Sequence, residues 1–324
     1  MPSPTSGSAY STIGYSGNVS IDALVIGTKW GGSAGTGATV SYSFPTDDSV
    51  WSTSSTNGYG STTGGGEPWD PDYAGLNTIQ QAGFAAAVAK FGEVANIAFV
   101  QVAETSTNVG DIRVAFSGVI ADAGYAGWAY YPWGGPVAGD IWLNPFVSYY
   151  QNVSEGGVGL HILTHELGHA LGLSHSFDND YKLPVSRDSE QYTVMSYTTI
   201  FATGPMLYDI LALQYIYGAN MTTRAGDSAY AFSATTEELK AIWDAGGIDT
   251  FDLSNQTVGA TLNLNAGTFS SIGVLNTGGP ARDNIAIAYN VTIENAKGGS
   301  GSDKFIGNSA NNTIDGNGGN DTLS

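Results

Sequence analysis

Apolar residues change their spacing several times along the chain, and each change marks an element. In Thr39-Val40-Ser41-Tyr42-Ser43-Phe44, β-branched and aromatic residues alternate with polar ones until Pro45 ends the run, the two-residue rhythm of a strand. From Leu76 to Val94 the residues Leu76, Ile79, Gly83 or Phe84, Val88, Phe91 and Val94 recur at steps of three to five, predicting an amphipathic helix with Gly83 as a mild defect. Four short strand-like runs follow, over 97–102, 111–116, 125–131 and 140–143, each bounded by Gly, Pro or Asn. A second helix is predicted from Val158 to Gly172, where glycine tolerates the left-handed turn that closes a helix. A third fits 205–217, with Met206, Ile210, Leu213 and Ile216 or Tyr217 on one stripe. Helices among several strands predict an α+β layer.

Elsewhere the texture is different. Residues 1–20 are small and polar and read as a flexible leader, and 52–75 carry Ser, Thr, Gly and Pro at loop density. After Gly218 the chain breaks into short runs separated by Gly, Asn and Asp, and near its end a nine-residue period appears. Phe305 or Ile306, Ile314 and Leu323 keep an apolar beat through it, which a Gly/Asn-rich linker would not. The expected division is therefore a leader over 1–20, one domain over 21–218 and a repeat-bearing domain over 219–324.

Composition narrows the partners. The 29 acidic and 10 basic residues give a net charge of −19, which repels phosphate backbones and anionic lipid, so nucleic acid and membrane partners are disfavoured. That excess also repels itself unless cations neutralise part of it. With no cysteine, any metal must be held by His, Asp, Glu, Tyr or carbonyl oxygen. The start, Met1-Pro2-Ser3-Pro4-Thr5-Ser6, lacks the basic and apolar stretches of a secretory signal.

The chemistry concentrates in His165-Glu166-Leu167-Gly168-His169-Ala170-Leu171-Gly172-Leu173-Ser174-His175. On a helix, His165 and His169 lie one turn apart on one face and can reach a common ion. Glu166 falls in the adjacent sector, where a general base belongs. Gly172 lets the chain turn so that His175 returns as a third ligand, leaving a fourth position open, as in catalytic zinc sites. A bare His-x-x-x-His pair also fits an ordinary surface helix, but the added Glu, Gly and third His each have their own geometric reason. His161, one turn before His165, is expected to pack or face solvent, because the ion already has three ligands.

In the repeats, Gly-Gly-x-Gly-x-Asp spacing sets carboxylates and turn carbonyls at a regular rise, so successive turns can hold calcium. Gly299, Gly301 and Asp303 fit in the first unit, and Gly316, Gly318, Gly319 and Asp321 in the third. The middle unit, Gly307-Asn308-Ser309-Ala310-Asn311-Asn312, has Asn where Asp would sit, so its sites are expected to bind through carbonyls or weakly.

His-Glu-x-x-His-x-x-Gly-x-x-His followed by Tyr192-Thr193-Val194-Met195-Ser196-Tyr197 resembles the metzincin pattern with its Met-turn, Met195 forming the apolar floor under the metal. Ala126-Gly127-Trp128-Ala129-Tyr130-Tyr131-Pro132, Tyr217-Gly218-Ala219-Asn220-Met221-Thr222-Thr223-Arg224, Trp243-Asp244-Ala245-Gly246-Gly247 and Val291-Thr292-Ile293-Glu294-Asn295-Ala296 extend it to the serralysin group of bacterial metzincins, from about Ile21 onward. The resemblance implies a zinc-protease domain followed by a calcium-binding parallel β-roll, and a secreted, monomeric zinc endopeptidase exported through a C-terminal signal. It implies a protein or peptide substrate pairing with the strand near Gly127 to Tyr131, and a proteinaceous inhibitor as a further candidate partner. Tyr197 would bind zinc at rest and swing to the oxyanion. Two more calcium sites are implied: Arg224, Gly226, Ser228, Asp244 and Gly246 for one, and Gly247, Asp249, Thr292 and Glu294 for the other. The segment between His175 and Met195 is shorter than in many of the group, and the repeats are few, as in a truncated or processed form. Two rivals stand beside this reading: a calcium-binding exoprotein or adhesin with an inert protease-like domain, and a thermolysin-type peptidase whose third ligand is a distant Glu.

Overall fold

The computed structural model describes residues 2–198 and 201–324, a mixed α/β protein with few helices and many strands. The first part is built on β1 (Tyr10–Thr12), β2 (Thr28–Trp30), β3 (Ala38–Ser43), β4 (Ala74–Gly75), β5 (Ile97–Gln101), β6 (Ile112–Phe116), β7 (Gly127–Ala129) and β8 (Ile141–Leu143), with helices α1 (Val19–Asp22), α2 (Thr78–Val94), α3 (Gly118–Asp122), α4 (Val158–Ala170) and α5 (Leu207–Tyr217). The main sheet runs β5-β3-β6-β8-β7, with β4 attached to β6. Its β3–β5, β3–β6 and β6–β8 pairs are parallel, and only the last strand of that order, β7, is antiparallel to its neighbour β8. One rim of the sheet is therefore an antiparallel strand with its outer side unpaired within the sheet.

Period-two patterning divides the two faces of the sheet. Ile112, Val114 and Phe116 of β6 and Ile141 and Leu143 of β8 join the main core with α2 and α4, while Ala115 and Trp142 turn the other way into a second cluster with Trp51 and Tyr59 of the long loop. Arg113 lies buried on that side, its guanidinium 3.4 Å from the Trp51 ring centre and paired twice to Glu104 at 2.7 Å. The loop over 52–75 is thus a folded cover.

Helix α2 opens on a capping box, Asn77 accepting the N–H of Gln80 while Gln80 accepts that of Asn77. Gly83 proves to be a contact point: a Cβ there would lie 2.6 Å from the Val153 side chain, so glycine lets α2 approach the segment leading into α4. The segment expected as a flexible leader instead carries β1, paired antiparallel with β2. Asp22 accepts N–H groups from Ser16 and Gly17, and Gly7 sits so close to Gly134 that a Cβ would be 2.5 Å from its carbonyl carbon.

Ten short strands follow: β9 (Ala229–Ala231), β10 (Lys240–Ile242), β11 (Thr250–Asp252), β12 (Thr261–Asn263), β13 (Phe269–Ser270), β14 (Ile285–Ile287), β15 (Asn295–Lys297), β16 (Lys304–Ile306), β17 (Thr313–Asp315) and β18 (Thr322–Leu323). One parallel sheet runs β17-β15-β11-β9, another β12-β16-β18. Asn295 pairs with Thr313 and Lys304 with Thr322, so ladder neighbours lie eighteen residues apart. The nine-residue unit alternates between two sheets, and two units make one full coil. Within the ladders Ala296 pairs with Ile314 and Phe305 with Leu323, which identifies Phe305 rather than Ile306 as the beat residue. Among the described residues no helix is long and apolar enough to cross a membrane.

Candidate active site

Helix α4 is buried nearly throughout and ends as Leu171 and Gly172 turn; Gly172 has φ +99°, and a Cβ on it would lie 2.4 Å from the Thr28 carbonyl oxygen. That turn returns His175 to the helix. His175 Nε2 stands 3.0 Å from His169 Nε2 and 3.2 Å from His165 Nε2, and the three form a metal-competent cluster. Each ring is fixed through its other nitrogen: Nδ1 of His165 donates to the Val194 carbonyl and Nδ1 of His169 to Leu173, both at 2.8 Å, while His175 Nδ1 meets Asp178 Oδ2 at 2.7 Å. With Nδ1 carrying the proton, the Nε2 lone pairs converge. Lone pairs so close repel unless a cation draws them together, and neutral imidazole is a common zinc donor, so the residues fit that ion. Burial holds His165 well below its usual value and lowers His169 to about 3, so both are neutral donors across the ordinary pH range.

Glu166, on the same helix, has its Oε2 buried without a hydrogen-bond partner among the described residues. Burial pushes its carboxyl up to about 8, and a nearby cation would draw it down again. A Cβ on Gly127 would lie 3.0 Å from Glu166 Oε1, so β7 passes directly over this carboxyl and needs glycine there. Tyr197 Oη lies 2.8 Å from His175 Nε2 although the residue is 61% exposed. Partial burial, with Glu166 and Asp178 nearby, raises its phenol to about 12, so it keeps its proton as a donor.

Met195 is buried, its Sδ 2.6 Å from where a Gly168 Cβ would be, which seats the sulfur against the helix one residue before His169. Asp209 of α5 anchors this turn. Its buried carboxylate accepts Thr193 Oγ1–H at 2.6 Å and the N–H groups of Val194 at 2.7 Å and Met206 at 2.8 Å, and so fixes the Val194 carbonyl that orients His165. His161 lies outside the cluster: its Nδ1 donates to Ala202 at 2.8 Å and its Nε2 is 3.7 Å from buried Glu190. Sequence reasoning missed Asp209, Asp178 and Phe177, whose ring stacks on His175 at 5.1 Å and 5°. Asp178, three residues after His175, was open to recognition as its partner; Asp209 had no local signal.

In the C-terminal part, the stretches holding Arg224, Gly226, Ser228, Asp244, Gly246, Gly247 and Asp249 lie side by side. Ser228 N–H donates to Asp249 Oδ1 at 2.8 Å, Gly246 N–H to Asp244 Oδ1 at 2.8 Å, and a Cβ on Gly247 would lie 2.6 Å from the Gly226 carbonyl carbon. Glu294 joins them through the Asp249 N–H at 2.8 Å; Thr292 is exposed two residues earlier. Asp249 Oδ2 is buried and has no hydrogen-bond partner among the described residues, and burial raises the carboxyl to about 6.

Two family profiles match the chain, one described as Peptidase M10 serralysin C terminal over residues 219–324, the other as dual-action HEIGH metallo-peptidase over 70–187. The serralysin of Proteus mirabilis is 33% identical over 331 residues, covering 89% of this chain and 63% of that protein. The serralysin of Photorhabdus luminescens is 36% identical over 282 residues, covering 76% and 56%. Serralysin B of Dickeya chrysanthemi is 40% identical over 210 residues, covering 55% and 42%. The chain belongs to the serralysin-type metalloproteases. It spans about half the length of the curated relatives it matches. Within this serralysin-type chain the second profile covers the His cluster, where the sequence reads His165-Glu166-Leu167-Gly168-His169. His175 lies beside the other two imidazoles, a position that speaks against a distant Glu as third ligand.

Proposed function

We propose that this chain is a secreted zinc endopeptidase that hydrolyses internal peptide bonds of proteins, with calcium stabilising its C-terminal part. The observation that carries the reading is the convergence of three Nε2 atoms beside Glu166, under the unpaired rim of β7. His165, His169 and His175 would hold zinc, with Tyr197 as a further oxygen donor. Zinc there would supply a Lewis acid that polarises the scissile carbonyl and acidifies water.

The chain's own groups do the rest. The substrate lies extended and antiparallel along β7, its main chain paired with the strand, so many sequences are accepted provided the segment can unfold. Glu166 takes a proton from the attacking water and passes it to the leaving amine. Its burial makes it a stronger base than a solvated carboxylate. Tyr197, still protonated, turns its O–H to the developing oxyanion. Asp178 and the Val194 and Leu173 carbonyls keep the imidazoles in the tautomer that faces inward.

Calcium would sit in the acidic turns: with Arg224, Gly226, Ser228, Asp244 and Gly246; with Gly247, Asp249, Thr292 and Glu294; and in the repeat turns Gly299, Gly301, Asp303 and Gly316, Gly318, Gly319, Asp321. The unpartnered Asp249 Oδ2 supports the second of these, since a buried carboxylate oxygen without a donor calls for a cation. The strand stacking supports a parallel β-roll from 219 onward.

The test is casein digestion with one equivalent of zinc bound. Chelation should abolish cleavage and zinc should restore it; a zinc-loaded protein that leaves casein intact would favour the inert exoprotein.

A further inference from the structure

Glu294, Asp303, Asn312 and Asp321 occupy one position of the nine-residue period, so Asn312 stands where its neighbours carry a carboxylate. The turn geometry is shared. Asp303 Oδ2 accepts the N–H of Gly299 at 2.8 Å, and Asn312 Oδ1 accepts that of Asn308, also four residues earlier, at 2.9 Å. What differs is the other half of the side chain. Asn312 Nδ2 donates to the Glu294 carbonyl at 3.0 Å and to Asn308 Oδ1 at 2.9 Å. Asn308 Nδ2 in turn donates to the carbonyls of Leu264 and Ile293, both at 2.9 Å. Two amides thus direct four N–H bonds into oxygens that a cation would need, three of them backbone carbonyls of neighbouring coils.

A calcium ion needs six to eight oxygens facing it and tolerates no N–H pointed at it. The oxygens at this turn are already committed, and the residue that should bring negative charge brings donors instead. On the other side of the stack, Asn317 Nδ2 reaches the Gly298 carbonyl at 2.6 Å, yet Asp303 and Asp321 keep their carboxylates, which accept the N–H groups of Ala260 and Asp303 at 2.7 and 2.8 Å. The middle unit therefore does not fit the ion proposed for its neighbours.

We propose that the turn over 307–312 is a calcium-independent clasp in which the Asn308 and Asn312 amides replace a cation, so this one turn of the coil stack, next to Glu294, is held by hydrogen bonds while the acidic turns are held by metal. The proposal rests on the acidic turns taking calcium. Hydrogen exchange on the full chain separates the two. The N–H groups of Asn308 and Ala310, held by Asn312 Oδ1 and Asn308 Oδ1, should be protected in chelator and gain less than about twofold on adding calcium. Those of Gly299, Ala260 and Asp303, held by carboxylates, should slow by about tenfold or more. Protection at 307–312 that appears only with calcium would overturn the clasp. Calcium without effect on any turn, with Asn308 and Ala310 still protected, would instead sink the calcium reading of the acidic turns and leave the clasp standing. Asn312→Asp should bind one calcium ion more than the parent chain by equilibrium dialysis, and a folded variant with an unchanged count speaks against the proposal. If that variant fails to fold, Asn308→Ala decides: it should speed exchange across 307–312 without changing the number of bound ions, and loss of an ion would refute the clasp.

Discussion

The two places proposed for cations, the cleft under β7 and the turns around Asp249, differ sharply in their chemistry. In the cleft the donors are imidazoles, each anchored from behind by Val194, Leu173 or Asp178. In the turns the donors are carboxylates that backbone N–H groups satisfy only in part, and Asp249 keeps one oxygen bare. The first arrangement is fixed by packing. The second is under electrostatic load, and the ion is part of what would hold it closed. Metal removal should thus silence the cleft without unfolding it, and loosen the turns.

The sharpest way to break the contrast is Glu166→Ala. It should lower kcat on casein by about 10^3-fold while zinc stoichiometry by atomic absorption stays at that of the parent. A parallel loss of zinc would place Glu166 among the ligands. Tyr197→Phe keeps the ring and removes the donor. Its kcat should fall by about 10^2-fold with KM little changed, because the O–H acts on charge that develops only in the transition state. For Asp178→Ala the expected outcome is about 10- to 100-fold weaker zinc affinity in competition with a chromophoric chelator. An unaltered affinity would show that the exposed carboxylate does not orient His175.

The smallest effect concerns the turns. Folded Asp249 titrates near 6 because it is buried, against an ordinary value of 3.8. Between those values the folded chain holds a proton that the unfolded chain has released, so stability is fully present below the lower value and declines as pH rises toward about 6. Urea midpoints measured in chelator should fall over that window, and Asp249→Asn should flatten the fall. A midpoint that climbs across the window would contradict the burial of Asp249.

How much of this was legible beforehand depended on how far each signal travels along the chain. Helix α4 and its histidines were readable because helical spacing and a turn glycine are local, and the Met-turn because it lies close after them. The role of Asp209 was not, since a buried aspartate on an apolar helix says nothing about which carbonyl it will steer. Gly83 looked like a defect because its reason, Val153, lies seventy residues away. Residues 1–20 looked loose for the same reason: β1 exists only where β2 and the glycines at 134 and 135 receive the segment. In the repeats the nine-residue beat was visible, but sequence alone does not say whether consecutive units stack on each other or on opposite sheets.

The rim strand β7 is three residues long and carries no charge, Gly127-Trp128-Ala129. Proteins usually guard such borders against sticking to copies of themselves by placing lysine, proline or a bulge there. This chain has none of these on the strand, and its guard is brevity: three residues offer too short a ladder to nucleate a lasting sheet, and under the proposed function a cut segment would be free to leave.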